Sequence, residues 1–384
     1  MNCTVAKALS YGLDDLGTKV VTHVPGCGAT DTFFEYKQLI NQNIFTSFNE
    51  EAAYTIAHGA SIAGARSACV IKTHGFLKAA NSINDSLYTS LTAGFVTILF
   101  DDKTGKSSDN ILEIEPILKG FSAPYKVADP EKIYDEIITA FEESEKLQLP
   151  YFLVVDSAFS QTEINIERRE IEIPEFNFSR DIKKHIVHPL LSDYQYKIFK
   201  TKTSDQKFEN IEDPSYPVIP DDIPERIKES ALVYKGFFDC FKDIRGTIVT
   251  GDTTLSSYYS FPPYNCVDIL TYIGGSIPLA IGASLAGHKN VWALSGDFGF
   301  NAAGHMALIE VIERKVPLKI VLFNNKKAAS TGGQPVNTEI IDRLLEGYKE
   351  YVVKIASPEN VDGMKNILQV VGMMNQLKII MIEY

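Results

Sequence analysis

The strongest constraint on the fold is a rhythm. Short β-rich apolar runs at 20–24, 44–48, 69–72, 95–100 and 151–155 alternate with helical periodicity, as at 50–63 and 130–145. Parallel strands need a crossover between them and a helix supplies it, so this alternation predicts parallel α/β architecture. The rhythm stops between Gln161 and Pro224, where the chain is charged, proline-studded and poorly periodic ("ERREIEIPEFNFSRD", "EDPSYPVIPDDIPER"). It resumes with runs at 248–250, 269–273, 291–294, 318–323, 351–355 and 377–382. The expected plan is two α/β domains, residues 1–160 and 225–384, joined by a linker with short local helices over 161–224. No sequence repeat relates the two halves.

One strand–helix–strand unit carries chemistry: "VWALSGDFGFNAAGHMALIEVIERKVPLKIVLFNN". Leu308, Val311 and Ile312 share one helical face that can pack on a sheet. Parallel strands bring their C-terminal ends to one edge, where open α/β sheets bind ligands. Asp297 and Asn325 both fall at that edge, 28 positions apart, a normal length for one crossover. A carboxylate, an amide oxygen and a backbone carbonyl are hard ligands that suit Mg²⁺, with phosphates completing its octahedron. Gly296 and Gly299 let a diphosphate approach the backbone, and a following helix N-terminus favours its charge. Gly-Asp alone reads as a turn and Asn-Asn alone as a helix cap. Together, at matching strand ends, they favour a metal–diphosphate site.

The bulk numbers narrow the partners. Net charge is −12, which disfavours nucleic acid and anionic membranes, although a bound divalent cation can still bring in a phosphate ligand. Cys3, Cys27, Cys69, Cys240 and Cys266 are scattered with no CxxC pair, which argues against an iron–sulfur cluster, a zinc ribbon or a disulfide framework. With no signal-peptide pattern and no apolar run of membrane-span length, the expectation is a soluble cytoplasmic protein.

The Gly-Asp and Asn-Asn pairs resemble the diphosphate-binding domain of thiamine diphosphate enzymes, whose motif is Gly-Asp-Gly followed by Asn-Asn. Here Phe298 takes the third position, a departure similar to one in the indolepyruvate:ferredoxin oxidoreductase branch. "KTHGFLKAAN", "LFDDKTGKSSDN" and "VADPEKIYDEI" resemble that branch's pyrimidine-binding domain, and "GDTTLSSYYSFPPYNCVD" and "FNNKKAASTGGQ" its diphosphate-binding domain. The resemblance covers most of the chain outside 161–224. It implies thiamine diphosphate and Mg²⁺ as cofactors, with the metal held by the Asp297 and Asn325 side chains and the Lys327 carbonyl. It places Gly251, Asp252, Gly275, Ser276, Gly296, Phe298, Gly299 and Thr331 at the cofactor. Ile277 matches the bulky aliphatic residue that props the cofactor into a bent shape; a plain core isoleucine is the competing reading. Glu50, at the end of "FTSFNE", matches the glutamate that hydrogen-bonds the aminopyrimidine ring. Without the metal motif it would read as a helix-start acid favoured by the macrodipole.

The implied reaction starts with decarboxylation of a 2-oxo acid. Such a substrate needs a cation or donor for its carboxylate and a relay for protons. Lys72 and His74, after the third strand, can meet both needs, and His74 is the better relay because imidazole exchanges protons near neutral pH. The competing readings are a solvent-reaching lysine and a surface loop histidine. Thr331 stands where pyruvate decarboxylase-like enzymes carry a glutamate, which puts simple aldehyde release in doubt and admits carboligation to a second carbonyl. Thr331-Gly332-Gly333-Gln334 also stands where the oxidoreductases have Thr-Gly-His-Gln, so that histidine is missing. Because the chain lacks ferredoxin-like cysteine clusters, the reading is a non-oxidative decarboxylase acting on an aromatic or bulky 2-oxo acid. The alternative is the catalytic subunit of an indolepyruvate-type ferredoxin oxidoreductase with a separate electron-transfer partner. Tyr258, Tyr259, Phe261 and Tyr264 are candidate pocket walls or ordinary core. The resemblance implies a homodimer or homotetramer with the site at the subunit interface.

Overall fold

The computed structural model describes residues 1–204 and 206–384, and the chain forms two compact units. The first comprises Met1–Phe178 with Lys197–Glu209, the second Ser179–Tyr196 with Asn210–Tyr384. Residues 161–224 are therefore divided between the units. Glu163–Asn165 pairs antiparallel with Asn2–Thr4 in the first, and Ser192–Thr203 is a helix. Among the described residues no helix is long and apolar enough to cross a membrane.

In the first unit five strands form a parallel sheet: β1 (Val20–His23), β2 (Ser67–Lys72), β3 (Phe95–Asp101), β4 (Tyr125–Val127) and β5 (Tyr151–Asp156), in the order β1-β2-β3-β5-β4. β3 is buried along its whole length, which is why it reads as a continuous apolar run instead of an alternating one. Helices cover both faces. Val5–Asp15, Ala29–Ile40 and Ile133–Leu147 share a core with Val70, Ile98 and Leu153. Strand alternation turns Phe95 and Phe152 the other way, where Tyr54 of the helix Glu50–Ile62 packs on them. After its two opening glutamates that helix is built mainly of small and apolar residues and is buried from Ala52 to Ile62.

The run at 44–48 is not a strand. It lies beyond the open edge of β1 and is tied to it by Ser47 N–H donating to the His23 carbonyl (2.8 Å). Phe48 is 67% exposed. β-propensity describes a residue that fits a half-buried pleated surface, and no second ladder exists here to provide one.

In the second unit the sheet comprises β6 (Val249–Gly251), β7 (Ile269–Leu270), β8 (Trp292–Gly296), β9 (Lys319–Asn324), β10 (Val352–Ile355) and β11 (Lys378–Glu383). All pairs are parallel, in the order β10-β11-β9-β8-β6-β7. The crossover from β8 to β9 runs through short pieces, Asp297–Ala302, a 3₁₀ turn Gly304–Met306, and Ala307–Glu313, instead of the single helix its periodicity suggests. The break falls at Ala303, whose backbone leaves the helical region (φ −152°, ψ −33°), and Gly274 packs against it. Gly274 has φ +86°, and a Cβ on it would sit 2.8–2.9 Å from Ala303, Gly299 and Gly304, so the two segments meet backbone to backbone.

Arg180 explains why part of 161–224 belongs to the second unit. Its guanidinium donates to the Val267 and Ser260 carbonyls and pairs with the buried Asp268 (3.1 Å), which also takes Arg245 and the Val249 N–H. Arg180→Ala should leave those carbonyls unpaired and lower the stability of this unit by about 2–3 kcal/mol. The check is a thermal midpoint compared with Lys184→Ala, a half-exposed lysine four residues along the same segment.

Candidate functional site

In the second unit the ligand-facing edge is built by β8 and β9. Their register sets Gly296 opposite Phe323, so the turns that follow, Gly296-Asp297 and Asn325-Lys326-Lys327, emerge side by side. Asp297 is buried, and its carboxylate accepts the N–H of Phe298 (2.7 Å) on one oxygen and of Lys326 (2.6 Å) on the other. Burial pushes its pKa up, and the backbone amides pull against that shift. Lys326 has φ +61°, which folds the second turn back over the first.

Asn325 Nδ2 donates to the Tyr234 hydroxyl (2.6 Å), so its Oδ1 is the end left to accept, and the Lys327 N–H lies 3.2 Å from it. Tyr234 is buried, and desolvation first, then the Asp297 charge, pushes its phenol up, so the ring stays neutral. Asp297, Asn325 and Lys327 border one cavity of about 180 Å³ together with Tyr234, Thr254, Ile273, Phe298 and Thr331. The side-chain oxygens and the Lys327 carbonyl are hard donors of the type a divalent cation takes.

The other positions proposed from sequence divide. Gly296, Phe298 and Thr331 border the cavity, whereas Gly251, Asp252, Gly275, Ser276 and Ile277 do not. Ile277 is fully buried and packs toward Gly304; the bulky aliphatic side chains at the cavity are Leu255 and Ile273, the latter four residues earlier than Ile277. Asp252 is sealed from solvent. It accepts the Ser276 N–H (2.9 Å) and the Ser295 hydroxyl, joining the end of β6 to β8 and to the start of the helix Ser276–Ala286. Gly299 lies against it, with only 2.6 Å between a would-be Cβ and Asp252 Oδ2. The aromatics of "SSYYSFPPYN" form core: Tyr259, Phe261 and Tyr264 are buried, and Tyr258 packs edge-on against His188. Tyr259 stacks on Phe238 with ring centroids 3.9 Å apart. Tyr234, Thr254 and Ile273 escape sequence reasoning because no spacing rule marks them.

In the first unit the strand-end loops gather a second set. Asn49 caps the helix Glu50–Ile62, accepting the Ala52 N–H (3.0 Å), and this sets Glu50 on the first turn. The short helix after β2, Thr73–Lys78, passes against it: a Cβ on Gly75 would meet Glu50 Cγ at 2.8 Å, so Glu50 packs on the helix that carries His74. Lys72 Nζ donates to the Ser107 carbonyl (3.1 Å), and its stem covers Gly26. His74 Nε2 lies 2.8 Å from Asn110 Oδ1. His23 is buried under Phe33, with Nδ1 on the Val70 carbonyl (2.9 Å); burial lowers its pKa to about 4, so it is a neutral structural group.

Residues 250–365 match the family model of the thiamine pyrophosphate enzyme C-terminal TPP binding domain. Indolepyruvate oxidoreductase subunit IorA of Archaeoglobus fulgidus is 29% identical over 184 residues, 45% of this chain and 29% of that one. The same subunit of Methanothermobacter marburgensis is 35% identical over 74 residues, 19% of this chain and 12% of that one. The match thus spans under a third of these relatives. A thiamine diphosphate-dependent 4-hydroxybenzoylformate decarboxylase of Rhodococcus jostii superposes with a TM-score of 0.66 at 13% identity, covering 99% of each chain. A putative thiamin diphosphate-dependent enzyme from Mycobacterium smegmatis gives 0.65 at 11%, again over 99% of each chain. These two likenesses establish a shared fold.

Burial raises the Asp252 pKa from 3.8 to about 6. A carboxyl that binds its proton more tightly when folded favours the fold below its unfolded pKa and loses that contribution as pH rises through the folded value. Asp252→Asn should therefore gain stability over the native protein as pH is raised from 4 to 7, by a limit on the order of 3 kcal/mol. Thermal midpoints at the two pH values measure it.

Proposed function

We propose that this thiamine diphosphate-dependent enzyme catalyses Mg²⁺-dependent, non-oxidative decarboxylation of a 2-oxo acid, aromatic or bulky, with carboligation to a second carbonyl as a further outcome. The observation that carries the reading is the meeting of Asp297, Asn325 and Lys327 at one cavity, inside the segment matched by the TPP-binding domain. The donor set fits Mg²⁺–diphosphate. The amides on Asp297 orient its carboxylate, Tyr234 turns the Asn325 oxygen outward, and Gly296 keeps the turn open. The cavity of about 180 Å³ is smaller than the ~300–1,000 Å³ of complete small-molecule sites. That size suits one wall of a site that another surface completes.

When bound, thiamine diphosphate supplies the carbon nucleophile and the electron sink for CO₂ loss. The chain's residues do the rest. Leu255 and Ile273 are bulky aliphatic side chains at the cavity that can shape the bound ligand. Glu50 holds a proton on its carboxyl oxygen against the aminopyrimidine, and His74 moves a proton at the reacting carbon. Lys72 offers charge for the substrate carboxylate once it leaves Ser107. The working assembly is a homodimer or homotetramer with sites shared between chains. Phe48, 67% exposed beside Glu50, and Phe298, 46% exposed at the cavity, are apolar surfaces that such an assembly would cover.

The second reading, an oxidoreductase subunit working with a separate electron carrier, is favoured by the likeness to IorA. That reading puts the electron relay on the partner and makes no demand on this chain's five cysteines, four of which are buried.

The test is CO₂ release from a panel of 2-oxo acids with thiamine diphosphate and Mg²⁺. Release without an electron acceptor supports the proposal; release only with ferredoxin or a viologen supports the second reading. Glu50→Gln should keep cofactor binding, read by fluorescence titration, and lose activity by at least about 100-fold. Asp297→Ala should lose cofactor binding itself. Gly75→Ala should cut turnover, measured below its thermal midpoint, on the order of 10–100-fold by pushing Glu50 aside, and should lower that midpoint because buried Ile71 lies 3.3 Å from the added methyl. Full activity in either Glu50→Gln or Asp297→Ala would sink the assignment.

A further inference from the structure

The loop after β3 does something that neither the sequence motifs nor the relatives assign. Asp102 organises it, accepting the Thr104 hydroxyl (3.3 Å) and the N–H groups of Lys106 (3.2 Å) and Ser107 (2.7 Å). Gly105, at φ +67°, makes the reversal. Lys72 then fastens the loop to the end of β2 through the Ser107 carbonyl (3.1 Å). Three residues further on, Asn110 Oδ1 reaches His74 Nε2 at 2.8 Å. At the other end of the same ring, Nδ1 is shut off from solvent and has no hydrogen-bond partner among the described residues.

These contacts have a chemical consequence. An amide oxygen only accepts, so the ring nitrogen facing it must carry the proton. A neutral imidazole has one N–H, so the proton on Nε2 leaves Nδ1 as a bare lone pair. The ring thus has an outer end closed by Asn110 at the solvent edge and an inner end that is basic and unsatisfied. A buried acceptor without a partner is unfavourable until a ligand brings a donor to it.

We infer that Asn110 is a positioning residue that fixes the tautomer of His74, making Nδ1 the atom that takes a proton and gives it back. In the transfer Nδ1 takes a proton from the bound reactant, which is left one proton short while the ring becomes a cation with Nε2–H still on Asn110; the return hands that proton to the reacting carbon and restores the neutral ring. The inference rests on the proposed role of His74 as the proton relay. It adds the residue that orients the relay and the nitrogen that acts.

Asn110 is exposed, so its replacement does not threaten the fold. The experiment is long-range ¹H–¹⁵N correlation NMR of the imidazole rings in the full-length protein, with the His74 signal assigned by its loss in His74→Gln. The native ring should show protonated Nε2 and unprotonated Nδ1, and Asn110→Ala should average the two ¹⁵N shifts. Asn110→Asp should keep the tautomer, because a carboxylate also accepts. In turnover, Asn110→Ala should lower kcat about tenfold with little change in KM. Asn110→Asp should recover part of that loss. A native ring protonated on Nδ1 would overturn the inference, and so would an Asn110→Ala protein with unaltered tautomer and pH profile. If the tautomer is locked but no 2-oxo acid loses CO₂, the decarboxylase reading fails and the Asn110 contact stands. If CO₂ is released while the tautomer is unfixed, Asn110 alone is refuted.

Discussion

A single buried carboxylate organises the ligand-facing edge of the second unit. Asp297 uses one oxygen on the Phe298 N–H and the other on the Lys326 N–H, so the turn that ends β8 holds the turn that ends β9. An ionised carboxylate has about four lone-pair sites, and two amide bonds leave room for a cation. The amides therefore aim the group without exhausting it. They also offset the cost of burying it, which is why its pKa rises less than burial alone would demand. Structure and chemistry are coupled here: the bonds that fix the turns also orient the carboxylate proposed to hold the cation.

Around that carboxylate, neutral groups set direction. Tyr234 is held uncharged by burial and by the nearby Asp297, so its oxygen can take the Asn325 NH₂ without adding a competing charge. A lysine there would donate where an acceptor is needed, and an aspartate would repel Asp297. Beneath the cavity, Asp252 ties the end of β6 to β8 and to a helix start, in a place where Gly299 leaves no room for a side chain. The first unit repeats the logic with weaker bonds at the solvent edge. Asn49 sets Glu50, Gly75 lets it lie close, and Asn110 addresses the ring of His74.

What could be read from sequence follows from how each position is determined. Asp297 and Asn325 were legible because a crossover between adjacent parallel strands has a characteristic length, and both residues sit at its ends. The buried strands were legible because a sheet covered on both faces demands continuous apolar runs; β8, β9 and β11 fall within a residue or two of expectation. The segment 44–48 misled because apolar β-formers beside an open sheet edge look like a strand whether or not a second ladder exists. Tyr258, Tyr259, Phe261 and Tyr264 stayed open between pocket and core for a related reason: an aromatic cluster fills either as readily, and composition cannot separate the two; the structure places them in core. Ile277 and Ile273 flank the same glycines, and only the path of the backbone through Gly274 decides which one meets the cavity.

Tyr234 and Asn110 were illegible for a deeper reason. Neither belongs to an element with a period, and each acts on a residue far from it in sequence, Asn325 and His74. Their roles depend on where loops return, and a loop's return is set by local bonds such as those of Asp102 to Ser107 and of Lys72 to its carbonyl. The groups expected to touch a cofactor sit at strand ends, where spacing constrains them. The groups that orient them sit on loops, where it does not. A chain can therefore keep the legible motif intact and change its chemistry by rebuilding a loop, altering which imidazole nitrogen is basic while every motif residue stays in place.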